Sequence, residues 1–92
     1  MAKYLAVHLV GKDFTVESGT PFAKAAKANN TLDAYWIRSW YVQEEGKLYC
    51  EYDAKDVESI REVLKNAAKD AGELPTEGIY QINLMVNAED FR

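Results

Sequence analysis

The chain has 92 residues, 48% hydrophobic and 28% charged, with a net charge of −4. That length suits one domain, residues 1–92, around one core, and the composition excludes wholesale disorder. Lysines scattered among acids and a pI of about 4.9 argue against nucleic acid as a partner. No apolar run approaches the ~20 residues that span a bilayer. The start, Met1-Ala2-Lys3-Tyr4, shows no signal-peptide pattern, and a lone cysteine excludes an intramolecular disulfide. Both fit a cytoplasmic setting.

In chain order, Lys3 to Val10 reads as a first strand, with Leu5, Val7 and Leu9 on one face and Tyr4, Ala6, His8 and Val10 on the other. Gly11 to Gly19 reads as a loop. Thr20 then suits an N-cap with Pro21 at the first helical position. Phe22, Ala25, Ala26 and Asn29 form the helix's inner stripe, and Lys24 and Lys27 its solvent side.

Ala34 to Asp53 dominates the chain. It consists of two aromatic, alternating runs joined by Gln43-Glu44-Glu45-Gly46, and Gly46 supplies the positive φ that a tight loop needs. Strict alternation puts Tyr35, Ile37, Ser39 and Tyr41 on one face of the first run, and Trp36, Arg38, Trp40 and Val42 on the other. In the second run Leu48, Cys50 and Tyr52 oppose Lys47, Tyr49 and Glu51. Neither face is polar. One is expected under helices and the other under a partner subunit or a ligand, because that much exposed apolar area is uncommon on a monomer.

Asp53 and Asp56 suit the start of a second helix, whose stripe is Val57, Ile60, Leu64, Ala67, Ala68 and Ala71. Gly72 and Pro75 end it. Ile79 to Val86 alternates as a last strand, and Asn87 to Arg92 is a polar tail. The order β-α-β-β-α-β predicts a ferredoxin-like α+β fold, a four-stranded antiparallel sheet with two helices on one face. The first strand would lie between the third and fourth. His8 would then neighbour Tyr49, Glu51, Gln81 and Asn83 on the open face, provided no bulge inverts a hairpin strand.

The segment WIRSWYVQEEGKLYCEYDAKDVESIREVL resembles a family of small ferredoxin-like domains of unknown function, some members of which are described as nickel-binding. Ile37, Arg38, Tyr49, Cys50, Glu58 and Ile60 stand at the matching places, and the first strand with Val7-His8 is also similar. The resemblance implies a homodimer of the dimeric α+β barrel type, with two sheets face to face, and a nickel-like divalent metal. One departure stands out. Nickel-type members tend to carry two histidines on the second helix, where this chain has Leu64 and Ala68.

His8 could be a metal ligand or proton shuttle, although a single histidine is a thin donor set. Two-fold symmetry could double it. The alternative is a strand histidine bonded to Glu51, Asn83 or water. Cys50 fits a small buried hydrophobe better than a nucleophile, since neighbouring Glu51 and Asp53 would disfavour its thiolate. Arg38 between Trp36 and Trp40 suits an anionic ligand stacked on indoles, or an ion pair with Glu51 at a dimer seam. Asp53 and Asp56 are explained by capping.

The pocket expected between paired sheets is lined by His8, Trp36, Arg38, Trp40, Tyr49, Glu51, Gln81 and Asn83. His8 and Glu51 would be donors, Arg38 the anion partner and the tryptophans the walls. The function that follows is binding of a metal ion or small ligand on the open sheet face. The alternatives are a cofactor-free oxygenase or isomerase acting on a small aromatic substrate, by fold analogy alone, and a protein-interaction module.

Overall fold

The computed structural model describes residues 1–91. The elements are β1 (Ala2–Leu9), α1 (Val16–Ala28), β2 (Ala34–Val42), β3 (Lys47–Ala54), α2 (Val57–Ala71), β4 (Thr76–Ile82) and a 3-10 turn over Ala88–Phe91. All strand pairings are antiparallel, in the order β2-β3-β1-β4. This is the ferredoxin-like α+β fold, with β1 in the middle as expected.

Cross-strand partners share a face, so the register decides what each face carries. Tyr4 pairs with Tyr52, Ala6 with Cys50 and His8 with Leu48. Tyr4, Ala6, Cys50 and Tyr52 join Ile60 and Val63 of α2 in one buried cluster, so this side faces the helices. Ile60 and Val63 are fully buried, each worth about 1.5–3 kcal/mol. Leu5 and Val7 therefore lie on the open face, the reverse of what their greater hydrophobicity suggests. Both faces of β1 are apolar, and alternation alone could not rank them.

The hairpin departs from strict alternation at one residue. Trp36 pairs with Tyr52 but Arg38 pairs with Glu51, leaving Ile37 as a bulge. Trp36 thus joins Ser39 and Tyr41 on the helix side, while Arg38 and Trp40 remain on the open face. The turn closes at Gly46, at φ +68°, whose carbonyl accepts from the amides of Val10 and Gly11. This ties the hairpin to the end of β1.

Helix α1 begins earlier than Thr20. Thr15 and Ser18 form a reciprocal capping box, and Pro21 lies inside the helix. Helix α2 is capped by Asp56, which accepts from the Ser59 amide at 2.8 Å. Asp53 instead receives Lys3 at 2.9 Å. Gly72, at φ +83°, ends α2 as expected. Strand β4 runs three residues earlier than Ile79 and stops at Ile82, which pairs with Lys3. Beyond Ile82 almost no β1 residue remains to pair with, and Leu84, Met85 and Val86 stand exposed.

Candidate ligand cavity and the open sheet face

The helix side of the sheet carries a cavity of about 750 Å³. Its floor comes from the inward residues of the sheet, among them His8, Trp36, Leu48, Cys50, Tyr52 and Ile79. Its roof comes from Phe22, Ala23 and Ala26 of α1 and Leu64, Ala67 and Ala68 of α2. The alanines explain the space, because short side chains on both helices fail to reach the sheet. Exposed Arg61, Lys65 and Glu73 also border it, so it is open to solvent. Size and lining fall in the range of small-molecule sites, which are mainly apolar with a few placed polar groups.

His8 is the most buried polar group there, at 1% exposure. Its Nδ1 lies 3.0 Å from Thr76 Oγ1, and the Thr76 hydroxyl in turn donates to the Leu74 carbonyl at 3.2 Å. With its proton directed at Leu74, Thr76 stands as an acceptor, which suits the tautomer that carries the imidazole hydrogen on Nδ1 and leaves Nε2 as the accepting nitrogen. Nε2 makes no side-chain hydrogen bond among the described residues. Burial lowers the His8 pKa below its ordinary value, and the ring's hydrogen bond to the Pro75 carbonyl opposes this.

A short polar chain crosses the floor. Trp36 Nε1 donates to Ser39 Oγ at 2.8 Å, and Ser39 Oγ donates to Cys50 Sγ at 3.0 Å. Burial pushes the Cys50 thiol up to about 11, and the Ser39 hydrogen bond only partly offsets it. Cys50 is therefore a protonated core thiol. Burial also raises the Tyr52 phenol.

The open face has a different character. Glu51, only 7% exposed, pairs with Lys3 at 2.8 Å and Arg38 at 3.2 Å. Lys3 also reaches Asp53, and these hydrogen bonds, Glu51's first, raise its pKa. Trp40 pairs with Tyr49, whose hydroxyl donates to Glu45 at 2.5 Å. A Cβ at Gly78 would stand 2.5 Å from the Tyr80 hydroxyl. The Tyr80 side chain thus folds back over Gly78, beside Val7, which is 3% exposed.

The eight residues expected in one pocket are divided between two surfaces. Arg38, Trp40, Tyr49 and Glu51 come together on the open face. His8 and Trp36 face the helices, His8 because β1 is inverted and Trp36 because Ile37 bulges. Gln81 pairs with Tyr4 at an exposed position, and Asn83 lies past the end of β4. His8 consequently bonds to Thr76, with Glu51 and Asn83 on other surfaces. Sequence reading missed Tyr52 and Thr76 as polar groups of the cavity. The one available clue was that Thr76 follows Pro75 at the start of a strand.

Nickel does not fit the cavity as a resident ion of one chain. Among the described residues no group of three or more His, Cys, Asp or Glu could hold a metal. His8 and Cys50 are the inward donors, and Cys50 is held as the neutral thiol. Leu64 and Ala68, where the resemblance would place histidines, line the same cavity. Pairing two open faces cannot bring two His8 rings together, because each lies on the opposite side of its sheet.

Residues 4–82 match the family described as Nickel responsive protein SCO4226-like. Among solved structures, the crystal structure of SCO4226 from Streptomyces coelicolor A3(2) matches with a TM-score of 0.62 at 18% identity, covering 92% of this chain and 100% of that one. At that identity the likeness supports the fold. No curated protein matches the chain. Among the described residues no helix is long and apolar enough to cross a membrane.

Proposed function

The chain belongs to the SCO4226-like family of nickel responsive proteins, and on that footing we propose that it is a small-ligand-binding domain whose ligand occupies the cavity between the sheet and the two helices. One observation carries this: a space of about 750 Å³, walled mainly by apolar side chains, retains a 1%-exposed histidine in its lining. The space is open to solvent and mainly apolar with a few polar groups, which is the character of small-molecule sites. The donor set favours an organic ligand over a metal ion held by the single chain.

The test uses the neutral fluorescent probe N-phenyl-1-naphthylamine. The native protein is expected to bind it, and Ala26→Phe and Ala68→Phe, which fill the cavity from either helix, are expected to abolish binding while circular dichroism stays native. Undiminished binding in both filled variants would end this reading. Nickel chloride added to chelator-treated protein is expected to leave the melting temperature unchanged, and a rise that disappears in His8→Ala would restore the metal reading.

A second reading concerns the partner. Trp40 and Tyr80, 49% and 51% exposed, flank a nearly closed Val7 on the open face, which favours a homodimer built by apposing two such faces. Sedimentation of the wild type should show a dimer that Trp40→Glu converts to monomer. A monomeric wild type at tens of micromolar would remove this reading.

A further inference from the structure

His8 and Tyr52 both line the cavity, and both are 1% exposed. The His8 ring bonds to Thr76 through Nδ1 and to the Pro75 carbonyl, and Oη of Tyr52 makes no hydrogen bond among the described residues. Shut away from water, such an atom costs about 1–3 kcal/mol. Among the described residues, however, no fully enclosed side-chain nitrogen or oxygen is left unbonded. Oη of Tyr52 therefore touches open space, and for a residue this buried that space is the cavity, which the His8 ring also lines.

Their positions set a length. Leu48 stands opposite His8, and Tyr52 lies four residues further along β3. The two sites are thus roughly 13 Å apart at backbone level, at about 3.3 Å per residue. Between them the floor is Leu48 and Cys50, with Ala6 opposite Cys50, so it has no charged group. The charges bordering the cavity, Arg61, Lys65 and Glu73, are exposed and of both signs.

Resting on the reading of the cavity as a ligand site, we infer that its ligand is an uncharged, elongated molecule with an apolar body, carrying an O–H or N–H donor at one end for Nε2 of His8 and an oxygen at the other for Oη of Tyr52. The neutral imidazole accepts the ligand's hydrogen, and the phenol can donate or accept. A carboxylate at either end would meet no cation inside. Burial disfavours charge on both side chains, as it would on a ligand group.

Three probes of one shape test this by competition with N-phenyl-1-naphthylamine: biphenyl, 4,4′-dihydroxybiphenyl and biphenyl-4,4′-dicarboxylate. The diol is expected to bind about ten-fold tighter than biphenyl, from two neutral hydrogen bonds, and the dicarboxylate more weakly than either. Tyr52→Phe, which keeps the ring, is expected to remove part of the diol's advantage and leave biphenyl unaffected. His8→Phe should remove the rest, and if that variant does not fold, Tyr52→Phe alone decides. Equal affinity for biphenyl and the diol would overturn this proposal and leave the cavity as the site. Failure of all three probes to compete, with N-phenyl-1-naphthylamine still bound, would likewise overturn this proposal and leave the cavity as the site.

Discussion

Nδ1 of His8 sits 3.0 Å from Oγ1 of Thr76, where the register between β1 and β4 shifts. The irregularity brings a hydroxyl, already bonded to Leu74, in front of a buried ring. It orients the ring, and burial favours its neutral form. With the folded pKa lowered from 6.5, the unfolded chain binds the proton more readily. Stability from this group is therefore complete above pH 6.5 and declines as pH falls through the lowered folded value. Urea midpoints should be lower at pH 5.5 than at pH 7.5, and His8→Phe should flatten that difference. An unchanged difference in the variant would place the pH dependence elsewhere. Thr76→Val should cost about 1–3 kcal/mol by leaving Nδ1–H unpaired.

Cys50 should be chemically silent in the folded protein. Its thiol, pushed up to about 11 by burial and bonded by Ser39, has almost no thiolate at pH 8. Iodoacetamide should leave the native protein unlabelled over hours and label it promptly in urea. Rapid labelling of native protein would mean that the cavity floor opens.

Gly46→Ala should be costly. The residue sits at φ +68°, and an added Cβ would lie 3.2 Å from the carbonyl carbon of Gly11. Backbone strain alone is worth about 1–3 kcal/mol. Chemical denaturation should show a loss of at least that size, since the same turn anchors Val10 and Gly11. Gly11→Ala, also at positive φ but with no neighbour near the added carbon, should cost less than Gly46→Ala.

Pro21 stands six residues into α1, where it cannot donate to the Glu17 carbonyl. Pro21→Ala should restore that bond and stabilise the protein by about 1–3 kcal/mol, read from the urea midpoint. A stability loss would mean that the proline ring's own packing outweighs the missing hydrogen bond.

Much of the architecture was legible beforehand. The aromatic hairpin, the amphipathic second helix ended by Gly72, and the β-α-β-β-α-β order all follow from local periodicity and turn chemistry. The misreadings were local too. Thr20-Pro21 imitates a helix start, yet the reciprocal pair Thr15 and Ser18 caps five residues earlier and wins, because it satisfies orphan amides that a proline at the first position cannot. Ile79 to Val86 alternates well as a strand, but pairing ends where β1 does.

The site was only half legible, for a reason that lies in the strand itself. A two-residue period groups side chains into faces, and this the sequence alone determined: His8 with Tyr4 and Ala6, Arg38 with Trp40, Leu48 with Cys50 and Tyr52. It carries no label for which face a helix will cover when both are apolar, and one bulged residue at Ile37 exchanges the faces on either side of it. Those two choices were made by the packing of Ile60 and Val63 against Tyr4, Ala6 and Tyr52, contacts between residues far apart in the chain. Tertiary structure therefore decided that the histidine looks into a cavity under the helices, and that the arginine and the second tryptophan look outward.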